Sequence, residues 1–157
     1  MKKGTIIFIS GLIIGIGLTL LVNYLVLSNK MFVVMESKYG FSETIQQLEQ
    51  SAEENKWGIP HRYDLRATLE GKGFQVDSVN VFSLCKPEFA NEILGSDDKQ
   101  LVSAIMPCRL AVYEKDGRTY ISMLNADLLS GFLGSQVKNV MVTATEENMK
   151  ILKPIIE

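Results

Sequence analysis

Cysteine, histidine and proline are scarce in this chain of 157 residues, which contains two cysteines, one histidine and four prolines. Two cysteines are too few for a small fold held together by disulfides, and a hydrophobic content of 46% excludes a disordered or collagen-like chain. Serine hydrolysis needs a base beside its nucleophile, yet His61 is the single histidine and no G-x-S-x-G motif is present. The composition therefore predicts a folded protein without a hydrolase triad.

Basic runs are also absent from the sequence. All 18 acidic residues lie between Glu36 and Glu157, and the chain after Lys30 carries 13 basic residues against them. A mildly acidic domain without a basic run or an aromatic platform has little means of neutralising phosphates. We therefore expect no nucleic-acid partner.

The first thirty residues contain the long apolar run that the rest of the chain lacks. From Thr5 to Leu27 there are 23 residues without a charge. As a helix they would span roughly 34 Å, enough for a hydrocarbon core of about 30 Å. The run is longer than a secretory signal and no A-x-A-like cleavage site follows it. The sequence predicts an uncleaved signal anchor over residues 1–30 that crosses the membrane through residues 5–27.

The charges that flank this run favour one orientation. Lys2, Lys3 and the amino terminus outweigh Lys30 and Lys38, so the positive-inside bias places the N-terminus in the cytoplasm. We therefore expect a single-pass protein of the cell membrane, with residues 31–157 forming an extracytoplasmic domain.

Hydrophobic periodicity divides the domain into short strands and helices. Strands are predicted over 31–37, 57–63 and 76–84, and helices over 42–55, 87–94, 126–132 and 135–152. Ser42 and Asp64 are candidate helix N-caps, and Pro87 suits the first turn of a helix. Strands and helices in this mixture predict a fold of the α+β class, with a transmembrane helix followed by a two-layer α/β sandwich.

The clearest local signal is a hairpin at Asp116-Gly117. Counting outwards from a two-residue type I′ turn places Leu110, Val112, Ile121 and Met123 on one, core-like face. The opposite face carries Arg109 and the facing pair Tyr113 and Tyr120. Tyrosine pairs commonly mark contacts, so we expect this patch to be covered by a helix or by a second copy of the domain, with a small-ligand platform as the rarer outcome.

The two cysteines are the candidates for chemistry. Cys85 closes one predicted strand and Cys108 opens another, and each stands near a proline and a cation, Lys86 or Arg109. A thiol ahead of a helix N-terminus and beside a cation has a lowered pKa, which favours Cys85 as the nucleophile. If the two strands are neighbours with a common buried face, both sulfurs reach the same end of the core. The alternative is that both thiols are buried and act as small hydrophobes.

A metal site is a further possibility for the same residues. Cys85 and Cys108 with Met106 or His61 would form a soft ligand set suited to copper(I) or zinc. The spacing of the cysteines matches neither a CxxC redox motif nor a four-ligand zinc pattern.

Two segments resemble paired signatures of a known family. Ser-Leu-Cys-Lys-Pro at 83–87 and Met-Pro-Cys-Arg-Leu-Ala-Val-Tyr-Glu at 106–114 resemble the G-A-C-N-P-like turn and the L-P-C-x-[apolar]-x-V-Y-E strand of the domain of unknown function family 302. Residues 64–69 resemble its D-x-x-A-T-L stretch. Lys86 departs from the asparagine usual there. The resemblance implies a compact α/β domain, often a homodimer, with no established activity.

Two functions follow as expectations. The first is a membrane-anchored binding or thiol-redox module centred on a cysteine pair, with Cys85, Cys108, Arg109 and Tyr113 as the candidate site residues. The second is a structural homodimerisation domain without chemistry of its own. We expect no independent enzyme activity, because no acid-base or nucleophile constellation is present.

Overall fold

A computed structural model describes residues 2–95, 97–106, 108–131 and 133–157. The chain divides into two compact units, which meet in sequence between Met31 and Phe32. The first unit is the helix α1 (Lys2–Lys30). The second is an α+β domain, as the hydrophobic pattern predicts.

Helix α1 is uniformly apolar and long enough to cross a membrane. Its apolar stretch runs from Lys3 to Leu25, with a mean hydropathy of 2.5. The hydroxyl groups of Ser10 and Thr19 donate to backbone carbonyls one turn earlier, at 2.9 and 2.8 Å. Internal satisfaction of polar groups is what a bilayer requires of a spanning segment. Length and composition support membrane insertion in this way, although a signal sequence shares both properties.

The domain is built on one antiparallel sheet of five strands. Their order across the sheet is β1-β5-β4-β3-β2. The strands are β1 (Phe32–Glu36), β2 (Gly58–Asp64), β3 (Val79–Cys85), β4 (Cys108–Lys115) and β5 (Arg118–Leu124). The strand predicted over 57–63 is observed as β2, at one edge of the sheet. At an edge, the missing N–H of Pro60 need not remove a hydrogen bond between strands.

Helices cover one face of this sheet. The helices of the domain are α2 (Phe41–Glu54), α3 (Leu65–Glu70), α4 (Pro87–Leu94), α5 (Ala126–Ser130) and α6 (Ser135–Ile156), with a 3₁₀ segment at Asp97–Ile105. Among them, α3 buries no residue. Leu48 of α2 and Ile151 and Leu152 of α6 are buried against Phe82 and Val112 of the sheet. A second, smaller cluster lies under α4 and α6 and contains Ile93, Val102, Val137 and Val140.

The β4–β5 hairpin confirms its predicted register. Lys115 pairs with Arg118 and Tyr113 with Tyr120. Asp116 and Gly117 both have positive φ, 52° and 74°, as a type I′ turn requires. The core-like face, which includes Val112 and Ile121, is buried under the helices as expected.

Local signals at helix starts are confirmed in part. Asp64 caps α3, since its carboxylate accepts a hydrogen bond from the Ala67 N–H at 2.8 Å. The expectation that Ser42 caps α2 is wrong. The N-cap is Gly40, which forms no side-chain bond, so the helix begins two residues earlier than a cap at Ser42 would place it. Helix α6 continues to Ile156, beyond the predicted end, because Ile155 is buried in the core. The helix predicted over 126–132 is observed as α5, which ends at Ser130. The last residue of the prediction, Phe132, lies outside the described residues.

Candidate functional site

One end of the sheet collects most of the candidate residues. There β1 and β4 begin and β3 and β5 end, so that Phe32 pairs with Leu124 and Leu84 with Cys108. We call this end, defined by those four residues, the Cys108 end. Helices α4 and α5 start there because they follow β3 and β5 directly, and the 3₁₀ segment returns the chain to β4.

A first cavity of about 60 Å³ lies at the Cys108 end between the sheet and α6. Its wall is mostly aliphatic, with Leu84, Ile105, Leu110, Met123, Leu129 and Met141 among the lining residues. One thiol and three polar side chains interrupt that wall, namely Cys108, Arg109, Thr145 and Asn148. This cavity therefore combines an apolar lining with hydrogen-bonding groups on one side.

A second cavity, also of about 60 Å³, adjoins the first. The two share Leu84, Ile105, Cys108, Ala126 and Met141. The second cavity extends towards α4, where its further lining is Trp57, Cys85, Lys86, Phe89, Ala90, Ile93, Val102, Met106, Val140 and Ala144. Since about 10–15 Å³ holds one water molecule by this measure, each cavity has room for roughly four to six small groups.

Cys108 stands at the junction of the two cavities. Its surface is exposed to solvent, yet burial raises the pKa of its thiol above the ordinary value. Both properties are expected of a sulfur in the wall of an open, apolar depression. Solvent can reach the sulfur there, but the negative charge of a thiolate would be poorly solvated. A hydrogen bond from Asn148 acts against this increase in pKa and the neighbouring Cys85 adds to it. Cys108 is thus an accessible thiol that is held in its neutral form.

Asn148 carries the least satisfied polar group at this end of the domain. It is 5% exposed, and its Oδ1 has no hydrogen-bond donor among the described residues. An unsatisfied buried acceptor costs about 1–3 kcal/mol, and such groups are rare in native proteins. The first cavity therefore contains an amide whose hydrogen bonds the protein itself does not complete.

A charged network closes the far side of the second cavity. Glu147 Oε2 accepts hydrogen bonds from Lys86 Nζ at 2.6 Å and from Trp57 Nε1 at 2.8 Å. The bond from Lys86, followed by that from Trp57, lowers the pKa of Glu147. Lys86 also lies 5.3 Å from the Phe89 ring centroid. The cation that was expected to act on Cys85 therefore has a carboxylate partner.

The predicted common face of the two cysteines is wrong. Cys108 lies opposite Leu84, so its strand face is that of Leu84, while Cys85 follows the alternate parity together with Val81. Both cysteines are free. Cys85 still lines the second cavity, because β3 ends there and the chain turns into α4. The structure supports a cavity bordered by both residues and does not support a disulfide or a redox pair.

In the described part of the chain, no group of three or more His, Cys, Asp or Glu side chains could hold a metal ion. Met106 lines the second cavity with both cysteines. His61 lies on the edge strand β2 opposite Ser83, exposed, with its ring 6.2 Å from that of Tyr63.

Arg109 and Tyr113 occupy different parts of the domain. Arg109 is exposed and borders the first cavity. Tyr113 lies four residues further along β4, about 13 Å away, and its ring stacks on Tyr120 with a centroid distance of 5.7 Å. Of these two predicted site residues, Arg109 borders the first cavity and Tyr113 stacks on Tyr120 on the outer sheet face.

Comparison with known proteins agrees with this architecture. The profile of a family described as "Domain of unknown function DUF302" matches residues 33–155. The chain belongs to the DUF302 family. A similar solved structure is the crystal structure of an uncharacterised conserved DUF302 protein from Bacillus stearothermophilus, with 24% identity and a TM-score of 0.72. The match covers 80% of this chain and 98% of that one. No curated protein matches the sequence.

Several residues of the site in this DUF302 domain carry no signal in the sequence. Ile105 lies in a 3₁₀ segment that the periodicity does not reveal, and Met141, Glu147 and Asn148 lie on α6. In the sequence, the α6 residues cannot be told apart from the other residues of an amphipathic helix. Only the packing of α6 across the Cys108 end distinguishes them.

Proposed function

We propose that the DUF302 domain is a binding module whose site is the two adjoining cavities around Cys108. The observation that carries this proposal is a largely apolar depression lined by an accessible thiol and by Asn148, whose amide oxygen has no hydrogen-bond donor among the described residues. Small-molecule sites are concave and mostly apolar, with a few polar groups that orient the ligand. The cavities match that description at a small size.

Binding is favoured over thiol chemistry for two reasons. Nucleophilic and redox cysteines need a stabilised thiolate, whereas the pKa of the Cys108 thiol is raised. A dithiol switch also needs two sulfurs in disulfide geometry, and the strand register places Cys85 and Cys108 on alternate parities. The thiol of Cys108 therefore serves the proposed site as part of its wall.

We place this module on the outer side of a membrane, anchored by α1. The support is the apolar length of α1 together with Lys2 and Lys3 at its N-terminal end. A reporter that is active only in the cytoplasm, fused after Glu157, should be silent. Activity of that fusion would show that the domain lies in the cytoplasm and would contradict the proposed orientation.

Xenon is a suitable probe for apolar cavities of this size. We would label the methionine methyl groups of the full chain in lipid nanodiscs and record their NMR shifts under increasing xenon pressure. Met106, Met123 and Met141 line the cavities, whereas Met35 and Met149 do not. We expect the first three signals to shift and saturate while the other two remain unchanged.

A cavity-filling variant makes the test specific. Ala126 lines both cavities, so Ala126→Leu should abolish the saturable shifts. Ala67→Leu adds the same bulk to an exposed position of α3 and should leave them intact. Absence of saturable shifts in the unmodified protein, or identical shifts in all five methionines, would overturn the proposal.

The outer sheet face supports a second candidate function, homodimerisation. Val34 and Tyr63 are 53% and 43% exposed there, and the stacked pair Tyr113 and Tyr120 lies on the same face. The helices of the main core pack on the opposite face. Two copies related by a twofold axis would bring the same aromatic surface together, which is the usual form of a symmetric interface.

Sedimentation equilibrium of the full chain in density-matched detergent tests this candidate. We expect a dimer that becomes monomeric in Val34→Glu and persists in Phe74→Glu, which places the same charge on an exposed loop residue. A monomeric unmodified protein would exclude the dimer. A dimer that survives Val34→Glu would assign association to another surface, such as Gly11 and Gly15 of α1.

A further inference from the structure

We propose that the ligand is the acyl chain of a membrane phospholipid, whose end enters the second cavity from the bilayer. This inference rests on the proposed binding function and names its ligand class. It predicts that the Cys108 end of the domain lies at the membrane surface.

The connection between α1 and the domain is very short. Helix α1 ends at Lys30 and β1 begins at Phe32, with only Met31 between them. Two Cα–Cα steps of 3.8 Å limit the distance between Lys30 and Phe32 to about 7.6 Å, whatever the orientation of the two units. Phe32 belongs to the Cys108 end and pairs with Leu124, which lines the first cavity. The chain therefore tethers the cavity end, rather than the opposite end, to a membrane-spanning helix.

Large apolar side chains are exposed at the Cys108 end and in the 3₁₀ segment that leads to it, and we call them the apolar rim. Phe32 is 56% exposed, Ile105 43% and Leu124 40%. Leu101, in the same 3₁₀ segment as Ile105, is 72% exposed. A cluster of large exposed apolar side chains marks a protein or membrane contact. Beside a membrane tether these residues would enter the headgroup and acyl boundary, as the apolar faces of interfacial segments do.

The two cavities differ in the polarity of their walls. Arg109, Thr145 and Asn148 are in the wall of the first cavity, whereas the further lining of the second is mostly apolar. No carboxylate of the described residues forms an ion pair with Arg109. A guanidinium suits a phosphate group, and the aliphatic and aromatic wall beyond it suits a chain end. A phospholipid presents these two parts in that order.

The single tryptophan provides a reporter inside the second cavity. Trp57 is 4% exposed and lines that cavity. Bromine atoms quench tryptophan emission at short range. In a flat bilayer, bromines at the distal end of an acyl chain lie near the midplane, about 15 Å from the edge of the hydrocarbon core. They reach Trp57 only if a chain leaves the bilayer and enters the domain.

The experiment compares the full chain in vesicles of phosphatidylcholine with and without bromines at the distal end of the chain. We expect loss of Trp57 emission in the brominated vesicles. Ala126→Leu, which fills both cavities, and Phe32→Ser, which weakens the rim, should restore the emission. Phe74→Ser removes an equally exposed aromatic residue (61%) from the loop between α3 and β3, so it should leave the quenching unchanged.

Equal emission of the unmodified protein in the two kinds of vesicle would overturn the lipid proposal, and so would quenching that Ala126→Leu does not relieve. The xenon titration separates this failure from failure of the binding module. Saturable methionine shifts without quenching would retain the module and exclude an acyl chain as its ligand. Absence of both would exclude the module as well.

Discussion

At the scale of single residues, Glu147 forms hydrogen bonds with two residues that line the second cavity. Its carboxylate accepts from both Trp57 and Lys86, which holds its pKa below the ordinary value of about 4.5. A carboxyl group whose pKa is lowered on folding stabilises the protein above its unfolded pKa, and that contribution is lost as the pH falls through the folded pKa. We expect Glu147→Gln to lower the melting temperature at pH 7 and to flatten the loss of stability below about pH 4.5.

Circular dichroism melts of the full chain in detergent, recorded from pH 7 to pH 3, measure this effect. Glu146→Gln alters the exposed neighbour and serves as the control. An unchanged pH profile in Glu147→Gln would show that the network contributes nothing to stability.

Cys108 provides a second prediction at this scale. Because burial raises the pKa of its thiol, alkylation of Cys85→Ser protein by iodoacetamide should have its pH midpoint above the value of about 8.5 that is usual for cysteine. Asn148→Ala removes the hydrogen bond that opposes this shift, so it should move the midpoint higher still. A midpoint below 8.5 would contradict a raised pKa for the Cys108 thiol.

At the scale of elements, the features that the sequence predicted correctly are those that depend on residues close together in the chain. The hairpin at Asp116-Gly117, the cap at Asp64 and the start of α4 at Pro87 are all local, and the structure confirms them. The relation of Cys85 to Cys108 is different, since it depends on the register of β3 against β4. That register is set across a long connection by the burial of Phe82 and Leu84 opposite Leu110 and Cys108, which no short pattern contains.

The hairpin gives the prediction at this scale. Gly117 has a φ of +74°, which a β-branched residue resists, so Gly117→Val should destabilise the domain by about 1 kcal/mol or more. Asparagine tolerates this conformation, and Gly117→Asn should therefore be close to neutral. Thermal unfolding of both variants compares the two effects, and equal melting temperatures would argue against the type I′ turn.

At the scale of the whole molecule, composition and hydrophobic periodicity predicted an apolar first unit and an α+β domain after it. The cavities were beyond the reach of both, because they form where α6, α4 and the 3₁₀ segment meet one end of the sheet. Residues such as Ile105 and Asn148 are more than forty positions apart in sequence, and their convergence is a product of tertiary packing. The resemblance to the DUF302 family predicted the fold and left the site open.

The central claim is that the cavities at the Cys108 end receive a lipid chain. Photocrosslinking measures this most directly, using the full chain in vesicles of phosphatidylcholine with a diazirine near the end of its acyl chain. After illumination, peptide mass spectrometry locates the adducts. We predict adducts on α1 and also on cavity residues, chiefly Met106, Cys108 and Met141. The adducts on the cavity residues should be lost in Ala126→Leu. Adducts confined to α1, with none on the cavity linings, would contradict the account.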